Sequence, residues 1–169
     1  MHMDDYLLEL GIFPFNEDLR TKWKARHLYE EWASRYPFIF DADDLRQARN
    51  QGPTGYHFYE WLAAITLFHT IGFLSLVSKY EFEKHERKQQ VVERIFPSGL
   101  PRVDRSSLGV GATQFPDLLV YSEDYSQWFF GEVKGPGDRF SNRQKMLFAE
   151  LSTVTGKPIR VIRFKALII

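Results

Sequence analysis

Three ionisable side chains, Asp117, Glu132 and Lys134, stand in two short apolar segments that a polar run separates. The first segment reads Pro-Asp-Leu-Leu-Val-Tyr, and the second reads Trp-Phe-Phe-Gly-Glu-Val-Lys. Short apolar segments of this kind predict strands. The turn-forming residues 122–127 between them predict that the two strands form an antiparallel hairpin.

The centre of this hairpin determines which residues face each other. A symmetric loop has its centre between Asp124 and Tyr125, which places Asp117 directly opposite Glu132. Opposed side chains in antiparallel strands lie about 5 Å apart on one face. Lys134 follows Glu132 by two residues and therefore points to the same face. The sequence thus predicts two carboxylates and one ammonium group side by side.

This combination suits metal-dependent hydrolysis of a phosphodiester bond. Two carboxylates in a partly dry site repel each other unless a divalent cation lies between them. Such a cation polarises a phosphoryl oxygen and lowers the pKa of a bound water, and the ammonium group can orient that water. The same residues also fit two structural alternatives, an edge strand with charges facing solvent and an ion-pair cluster. These three residues alone do not decide between hydrolysis and the alternatives.

The residues after Lys134 extend the pattern into a longer motif. Residues 131–144 read Gly-Glu-Val-Lys-Gly-Pro-Gly-Asp-Arg-Phe-Ser-Asn-Arg-Gln, and the dipeptide Pro-Asp at Pro116 precedes them. This arrangement resembles the VRR-NUC (virus-type replication-repair nuclease) family, a branch of the PD-(D/E)xK nucleases, over about residues 56–169. Phe140 departs from the family pattern, in which Leu is commoner at that position.

The resemblance implies both a fold and an activity. The predicted element order corresponds to the restriction-endonuclease-like α/β core, with a helix, a mixed sheet that contains the catalytic hairpin, a second helix and a strand. We expect this core over residues 54–169 and a helical N-terminal extension over residues 1–53. The implied activity is that of a Mg²⁺- or Mn²⁺-dependent deoxyribonuclease. The best-known family member, the Fanconi-associated nuclease, cuts branched DNA during crosslink repair.

The resemblance also implies roles for particular residues. The expected catalytic residues are Glu60, Asp117, Glu132, Lys134 and Gln144. The expected metal ligands are Glu60, Asp117, Glu132 and the backbone carbonyl of Val133. Glu60 corresponds to an extra acid that such nucleases carry on the first core helix, and its structural alternative is a helix-end residue facing water. Gln144 lies three residues after Ser141, so it can also act as a helix-capping partner.

Positive charge is concentrated at the end of the chain. Residues 133–169 contain eight Lys or Arg side chains and two acidic ones, although the whole chain has a net charge of zero. A basic surface beside an acidic cluster suits the nucleic-acid backbone. The DNA contacts that we expect are Arg139, Ser141, Arg143, Lys145 and Lys88. The alternative for these side chains is an ordinary solvated face.

Periodicity and capping signals predict the remaining elements. A short helical turn is expected over residues 4–10, ended by Gly11. One helix is expected from an N-cap at Asn16 to Pro37, with an apolar face formed by Leu19, Trp23, Leu28, Trp32 and Tyr36. The further elements expected are a helix from Asp41 to about residue 50, a helix over 56–71, a strand over 73–82, a helix over 83–96, a loop over 97–114, a helix from Ser141 that Gly156 ends, and a strand over 158–164.

Composition narrows the class of protein. The chain of 169 residues has no cysteine, which excludes disulfides, thiol catalysis and thiolate zinc sites. No uninterrupted apolar stretch approaches the 18 or more residues of a membrane span, so we expect no membrane partner. The chain begins without a basic-then-apolar signal pattern, and we expect a cytoplasmic protein.

Three readings of the biology stay open at this stage. The first is a DNA repair enzyme that acts on branched DNA. The second is an antibacterial toxin nuclease, which would be delivered into a target cell and countered by an immunity protein. The third is a non-catalytic DNA- or protein-binding module on a nuclease scaffold. Stand-alone members of this family can act as dimers, and the apolar residues 166–169 could serve a homodimer contact.

Overall fold

The computed structural model of the protein describes residues 5–77, 80–81, 85–103 and 115–168. Its strands are β1 (Leu7–Phe15), β2 (Leu74–Leu76), β3 (Leu118–Tyr121), β4 (Trp128–Lys134) and β5 (Ile159–Ala166). Its α-helices are α1 (Glu17–Lys24), α2 (Leu28–Arg35), α3 (Ala42–Gln51), α4 (Phe58–Ile71), α5 (Glu86–Ile95) and α6 (Asn142–Thr155). A single 3₁₀ turn, Gly52–Thr54, connects α3 towards α4.

The strands form one mixed sheet in the order β1-β5-β4-β3-β2. The pairs β1–β5 and β4–β5 are parallel, whereas β3 is antiparallel to both β4 and β2. This mixed α/β arrangement is compatible with a restriction-endonuclease-like core, as the element order predicts. The parallel β4–β5 pair needs a crossover, and α6 supplies it.

Helices cover the sheet on both faces, and β4 contributes alternate residues to the two layers. Phe129 and Val133 pack with the aromatic residues of α1, α2 and α4, a layer in which Trp23 and Trp61 are completely buried. Phe130 faces the other way and packs with α5 and α6. Because both faces are covered, β3 and most of β4 are buried, which explains their nearly continuous apolar sequence.

Several predicted helix boundaries are confirmed. The side chain of Asn16 accepts a hydrogen bond from the backbone N–H of Asp18, so it caps α1. Capping boxes begin α3 at Asp41 and α6 at Ser141. Helix α4 ends at Gly72, whose φ of +74° is accessible to glycine at little cost. The predicted strand over 158–164 is also present, as β5.

The expected helical turn over residues 4–10 is wrong, because Leu7 begins strand β1 instead. Leu7 pairs with Ile159, and the strand continues along β5 to Phe15 with a register irregularity between Glu9 and Gly11. An isolated turn of helix is unstable in water, whereas the edge of β5 supplies backbone hydrogen bonds along the whole segment. The described part of residues 1–53 therefore contains three helices and, before them, a strand of the main sheet.

The expected single helix from Asn16 to Pro37 is divided into α1 and α2. Arg26 has a φ of +72°, and the helix is interrupted around it. Trp23 and Leu28 are both buried, but a spacing of five residues would turn them about 140° apart on a continuous helix. The break lets both side chains reach the core.

The segment from residue 73 to 114 is only partly covered by the structure. Strand β2 is shorter than the predicted strand over 73–82, and α5 lies within the predicted helix over 83–96. The predictions that concern residues 78–79, 82–84 and 104–114, including most of the expected loop before Asp117, lie outside the described residues.

Lys88 does not lie where a phosphate could reach it, so the predicted DNA contact is wrong. Its side chain has no exposed area, and its Nζ lies 2.7 Å from Asp44 Oδ1 and 3.6 Å from Asp41 Oδ1. Burial raises the pKa of Asp44 to about 7 against the opposing charge of Lys88. The cluster joins α5 to the first turn of α3, so Lys88 has a structural role.

Removing the cation from this cluster should be costly. We expect Lys88→Met to lower the free energy of unfolding by about 3–5 kcal/mol, because it leaves the buried Asp44 without its counter-charge, whereas Asp41 keeps Arg87. The double variant Lys88→Met/Asp44→Leu should be distinctly more stable than Lys88→Met alone. Urea denaturation measures both values.

The exposed ion pair of Arg35 with Glu31 provides a matched control. Its Arg Nη2 and Glu Oε1 lie 3.5 Å apart, with both side chains more than half exposed. Arg35→Gln should therefore change stability by less than about 1 kcal/mol. A similarly small loss in Lys88→Met would contradict the structural role of the cluster.

Candidate active site

The β3–β4 hairpin has the register that its sequence predicts. Leu118 pairs with Gly131 and Tyr121 with Trp128, which continues to Asp117 opposite Glu132. The loop is closed by a 2.8 Å hydrogen bond from Ser122 N–H to the carbonyl of Gln127. The side chain of Asp124 accepts hydrogen bonds from Ser122 and Ser126 inside the loop. These bonds stabilise the turn far from the acids and so fix the register near them.

The two opposed acids occupy different environments. Asp117 is half-buried, and its Oδ2 accepts a 2.9 Å hydrogen bond from the backbone N–H of Val133. Glu132 is only 3% exposed, and its Oε2 is buried without a hydrogen-bond partner among the described residues. A buried carboxylate oxygen without a partner is costly. This site is therefore one at which a ligand that binds oxygen would be stabilising.

Electrostatic repulsion links three carboxyl groups here. Burial raises the pKa of Glu132 well above its usual value, the charge of Asp117 and a hydrogen bond with it raise the pKa further, and Lys134 opposes the shift. Burial, followed by the charge of Asp117, raises the pKa of Glu60 to about 8. Full ionisation of all three groups is therefore unfavourable without a compensating positive charge.

Lys134 lies on the same face as Glu132 and is held from two sides. Its Nζ donates a 3.2 Å hydrogen bond to Gln144 Oε1 and lies 4.6 Å from the centre of the Phe140 ring. The side chain is 7% exposed. These two contacts and the burial of the side chain restrict its movement. The direction of the ammonium group relative to the acids is therefore well defined.

Gln144 connects Lys134 to the start of α6. Its Oε1 also accepts a hydrogen bond from the backbone N–H of Ser141, and the backbone N–H of Gln144 donates to Ser141 Oγ. The predicted capping role of Gln144 is thus confirmed, and the same oxygen contacts the lysine. A catalytic role of Gln144 stays a prediction.

The start of α4 packs against the end of β4 and brings Glu60 towards Asp117. Gly135 lies against the ring of Tyr59, where an added Cβ would be 2.7 Å from Tyr59 Cε2. Only a glycine permits this approach at that position. Gly135 N–H also donates to Asp138 Oδ2 at 2.9 Å, which closes the turn after the strand.

The opposed acids are the side chains of this site that could ligate a divalent cation. Asp117 and Glu132 provide hard oxygen donors, and Glu132 Oε2 lacks any other partner among the described residues. Within residues 5–77, 80–81, 85–103 and 115–168, however, no three His, Asp or Glu side chains are grouped so that they could hold one ion together. Ligation of a metal ion by Glu60, Asp117, Glu132 and the backbone carbonyl of Val133 stays a prediction.

The residues predicted to contact phosphate, apart from Lys88, lie on the surface in the part of the chain that follows Lys134. Those side chains, all exposed, are Arg139, Ser141, Arg143 and Lys145. Arg139 and Ser141 precede α6, whereas Arg143 and Lys145 lie within its first four residues.

Some neighbours of the site were not predicted from the sequence. Phe140 lies inside the motif, and its departure from the commoner Leu was the one feature of the sequence that drew attention to it. Tyr59 and Tyr56 carry no recognisable motif, and only the packing of α4 against the hairpin places them near the acids. The charges of Glu60 and Asp117 reach Tyr56, where they add to the effect of burial in raising its pKa.

No protein family and no curated protein matches the sequence. A crystal structure of paFAN1 bound to DNA with a two-nucleotide 5′ flap and a gap is similar to this chain, with 19% identity and a TM-score of 0.36. The similarity covers 76% of this chain and 25% of that chain, so this protein spans about a quarter of paFAN1's length. A similarity of this degree does not establish a shared family or activity.

The described part of the chain contains no helix with the length and apolar character that crossing a membrane requires.

The raised pKa values predict how stability depends on pH. In the folded state Glu60 keeps its proton up to about pH 8, whereas in the unfolded state it loses the proton near its usual pKa of 4.5. The folded protein therefore binds more protons within this window, and its stability should fall as pH rises through it. We expect the melting temperature in EDTA to decrease from pH 5 to pH 8.

Substitution at Glu60 tests the cause of this decrease. The variant Glu60→Gln should show a smaller decrease, while Glu123→Gln in the exposed hairpin loop should behave as the wild type. Addition of Mn²⁺ at pH 8 should raise the melting temperature of the wild type. The explanation fails if Glu60→Gln retains the full decrease.

Proposed function

We propose that this protein is a metal-dependent DNA nuclease of the VRR-NUC type, which hydrolyses phosphodiester bonds. The single observation that carries this proposal is the buried Glu132 Oε2, without a hydrogen-bond partner in the described residues and directly opposite Asp117. Lys134 on the same face completes the set that such hydrolysis uses. An ion-pair cluster built for stability would be expected to pair that oxygen.

The cation would be Mg²⁺ or Mn²⁺, since carboxylate oxygens suit both. Asp117 and Glu132 would hold it, with the backbone carbonyl of Val133 as a further ligand and Glu60 acting through water. When bound, the cation supplies charge stabilisation at the phosphate and lowers the pKa of a water. The raised pKa values of Glu60 and Glu132 support this assignment, because an added positive charge would stabilise the ionised form of both carboxyl groups.

Lys134 would orient the attacking water and offset negative charge on the phosphate. Hydrolysis joins the water oxygen to phosphorus and breaks one ester P–O bond. The attacking water loses one proton, and the leaving oxygen takes up one proton. The lysine contributes by holding a donor in a fixed direction, which Gln144 and Phe140 support. Gln144 would thus be a positioning residue for Lys134.

The exposed residues after β4 would hold the DNA backbone. Arg139, Arg143 and Lys145 provide positive charge, and Ser141 provides a hydroxyl group for a phosphate oxygen. These contacts do not read the base sequence. The proposal therefore includes selection of the substrate by DNA structure, with branched DNA of the repair type as the expected preference.

Cleavage assays test the catalytic assignment. We expect the wild-type protein to cut at least one of four labelled DNAs, linear duplex, single strand, flap and four-way junction, in Mg²⁺ or Mn²⁺ but not in EDTA. Lys134→Ala should reduce the rate by about 100- to 1,000-fold, since it removes an oriented charge from the reacting phosphate. Asp117→Asn should reduce it at least as much.

Glu123→Gln is a matched control for the acidic substitution, because Glu123 is exposed in the loop at the other end of the same hairpin. It should retain wild-type cleavage. Cutting at the wild-type rate by Lys134→Ala or Asp117→Asn would refute the catalytic assignment. Absence of cutting on all four DNAs would favour a non-catalytic binding module.

DNA binding should depend on salt, because each phosphate contact releases counterions. We expect the double variant Arg139→Gln/Lys145→Gln to make the negative slope of log K against log[salt] shallower by about 0.9 per lost contact on duplex DNA. Fluorescence anisotropy in EDTA between low and moderate salt measures this slope without cleavage.

Arg46→Gln on α3 is the control for this experiment. Arg46 is exposed and pairs with Asp43 on its own helix, away from the turn after β4. The slope of log K against log[salt] for Arg46→Gln should equal that of the wild type. An unchanged slope in Arg139→Gln/Lys145→Gln would show that these side chains do not contact the backbone.

A further inference from the structure

The turn that leads into α4 carries an exposed aromatic ring beside the proposed active site. Gly55 has a φ of +87° and His57 a φ of +71°, and Tyr56 between them is 57% exposed. Trp23 Nε1 donates a 3.1 Å hydrogen bond to the backbone carbonyl of Tyr56. The backbone of the turn is therefore fixed to the buried core, while the ring stays at the surface.

The orientation of the Tyr56 ring is supported from one side. The ring of His57 meets it edge to face, with the two centres 4.4 Å apart. His57 is itself buried and hydrogen-bonds the side chain of Gln51. A ring held in this way loses little conformational entropy when a flat ligand binds its free face.

Two cations of α1 lie over the same turn. Arg20 and Lys24 are one helical turn apart, and a Cβ added to Gly55 would lie 2.9 Å from Lys24 Cε and 3.2 Å from Arg20 Nη2. Neither side chain forms an ion pair within the described part of the chain. Arg20 Nε is also buried without a hydrogen-bond partner among those residues. The two charges are therefore available to an anionic ligand.

Arg20 connects to the proposed active site through Tyr59. The guanidinium carbon of Arg20 lies 5.8 Å from the centre of the Tyr59 ring, and that ring packs on Gly135, the residue after Lys134. Burial raises the pKa of Tyr59, Arg20 lowers it, and the acidic neighbours Glu17 and Asp138 raise it. Arg20 thus lies close to the end of the catalytic strand.

We propose that Tyr56, Arg20 and Lys24 form a subsite that holds the nucleic-acid strand next to the catalytic residues. The ring of Tyr56 stacks on a nucleobase, and the two cations bind adjacent backbone phosphates. Neighbouring bases cover both faces of a base inside a duplex, so the stacked base belongs to an unpaired segment or a strand end. This inference rests on the proposed nuclease function and assigns a substrate contact to the N-terminal helices.

Binding of a single-stranded oligonucleotide in EDTA tests the stacking contact without cleavage. Tyr56→Ala should bind about tenfold more weakly than the wild type, whereas Tyr56→Phe, which keeps the ring, should bind within about twofold. An oligonucleotide that contains 2-aminopurine gives a second readout. Its fluorescence should fall on binding to the wild type and to Tyr56→Phe, and should fall much less with Tyr56→Ala.

The salt dependence of the same binding tests the cations. Arg20→Gln/Lys24→Gln should make the negative slope of log K against log[salt] shallower by about 0.7 per contact, or about 1.4 in total for single strands. Lys22→Gln is the matched control, because Lys22 is exposed on the same helix but turned about 200° from Arg20. Circular dichroism melting establishes that each variant is folded.

The outcomes separate this subsite from the nuclease proposal. Wild-type affinity and quenching in Tyr56→Ala, with an unchanged salt slope in Arg20→Gln/Lys24→Gln, overturn the subsite, and DNA cutting by the wild type then leaves the nuclease proposal intact. Failure of the wild type to bind the oligonucleotide also overturns the subsite. The predicted losses without cutting of any DNA by the wild type would support a strand-binding surface and overturn the nuclease proposal.

Discussion

The register of the β3–β4 hairpin holds two carboxyl groups opposite each other where their charges repel. Asp117 is partly satisfied by the backbone of Val133, but Glu132 is buried with one oxygen that lacks a hydrogen-bond partner in the described residues. Burial and the charge of Asp117 both disfavour ionisation of Glu132. Packing elsewhere in the sheet must therefore offset an unfavourable interaction at this end of the hairpin. Such local destabilisation is expected where a structure is built to bind something.

The packing on both faces of the sheet provides that stability. The aromatic layer around Trp23 and Trp61 fixes α4, and the contact of Tyr59 with Gly135 then fixes the start of α4 against the end of β4. On the other face, α6 begins shortly after the turn that follows β4 and uses Gln144 both as a cap and as a partner of Lys134. A single side chain thus links the stability of a helix terminus to the orientation of the ammonium group.

The N-terminal segment is more closely integrated than an added helical layer would be. Strand β1 extends the main sheet along β5, and the cluster of Lys88 with Asp41 and Asp44 joins α3 to α5. Arg20 of helix α1 meanwhile lies 5.8 Å from the centre of the Tyr59 ring, which packs on Gly135 beside the candidate site. This arrangement explains how residues far from the motif in sequence can lie near the acids. It is the basis on which we propose a substrate contact for the N-terminal helices.

The sequence by itself determined the hairpin, its register, the shared face of Asp117, Glu132 and Lys134, and the capping of α6. Each of these depends on interactions between residues close together in the chain, where strand alternation and turn length are decisive. Only the tertiary structure decided that residues 7–15 form a strand, that the first helix is divided at Arg26, and that Lys88 is buried. The strand and the burial of Lys88 depend on partners more than 40 residues away, Ile159 for Leu7 and Asp44 for Lys88. The break at Arg26 lets Trp23 reach Phe58 and Trp61. Local propensity carries no information about such partners, because the energy comes from packing and pairing that exist only in the complete fold.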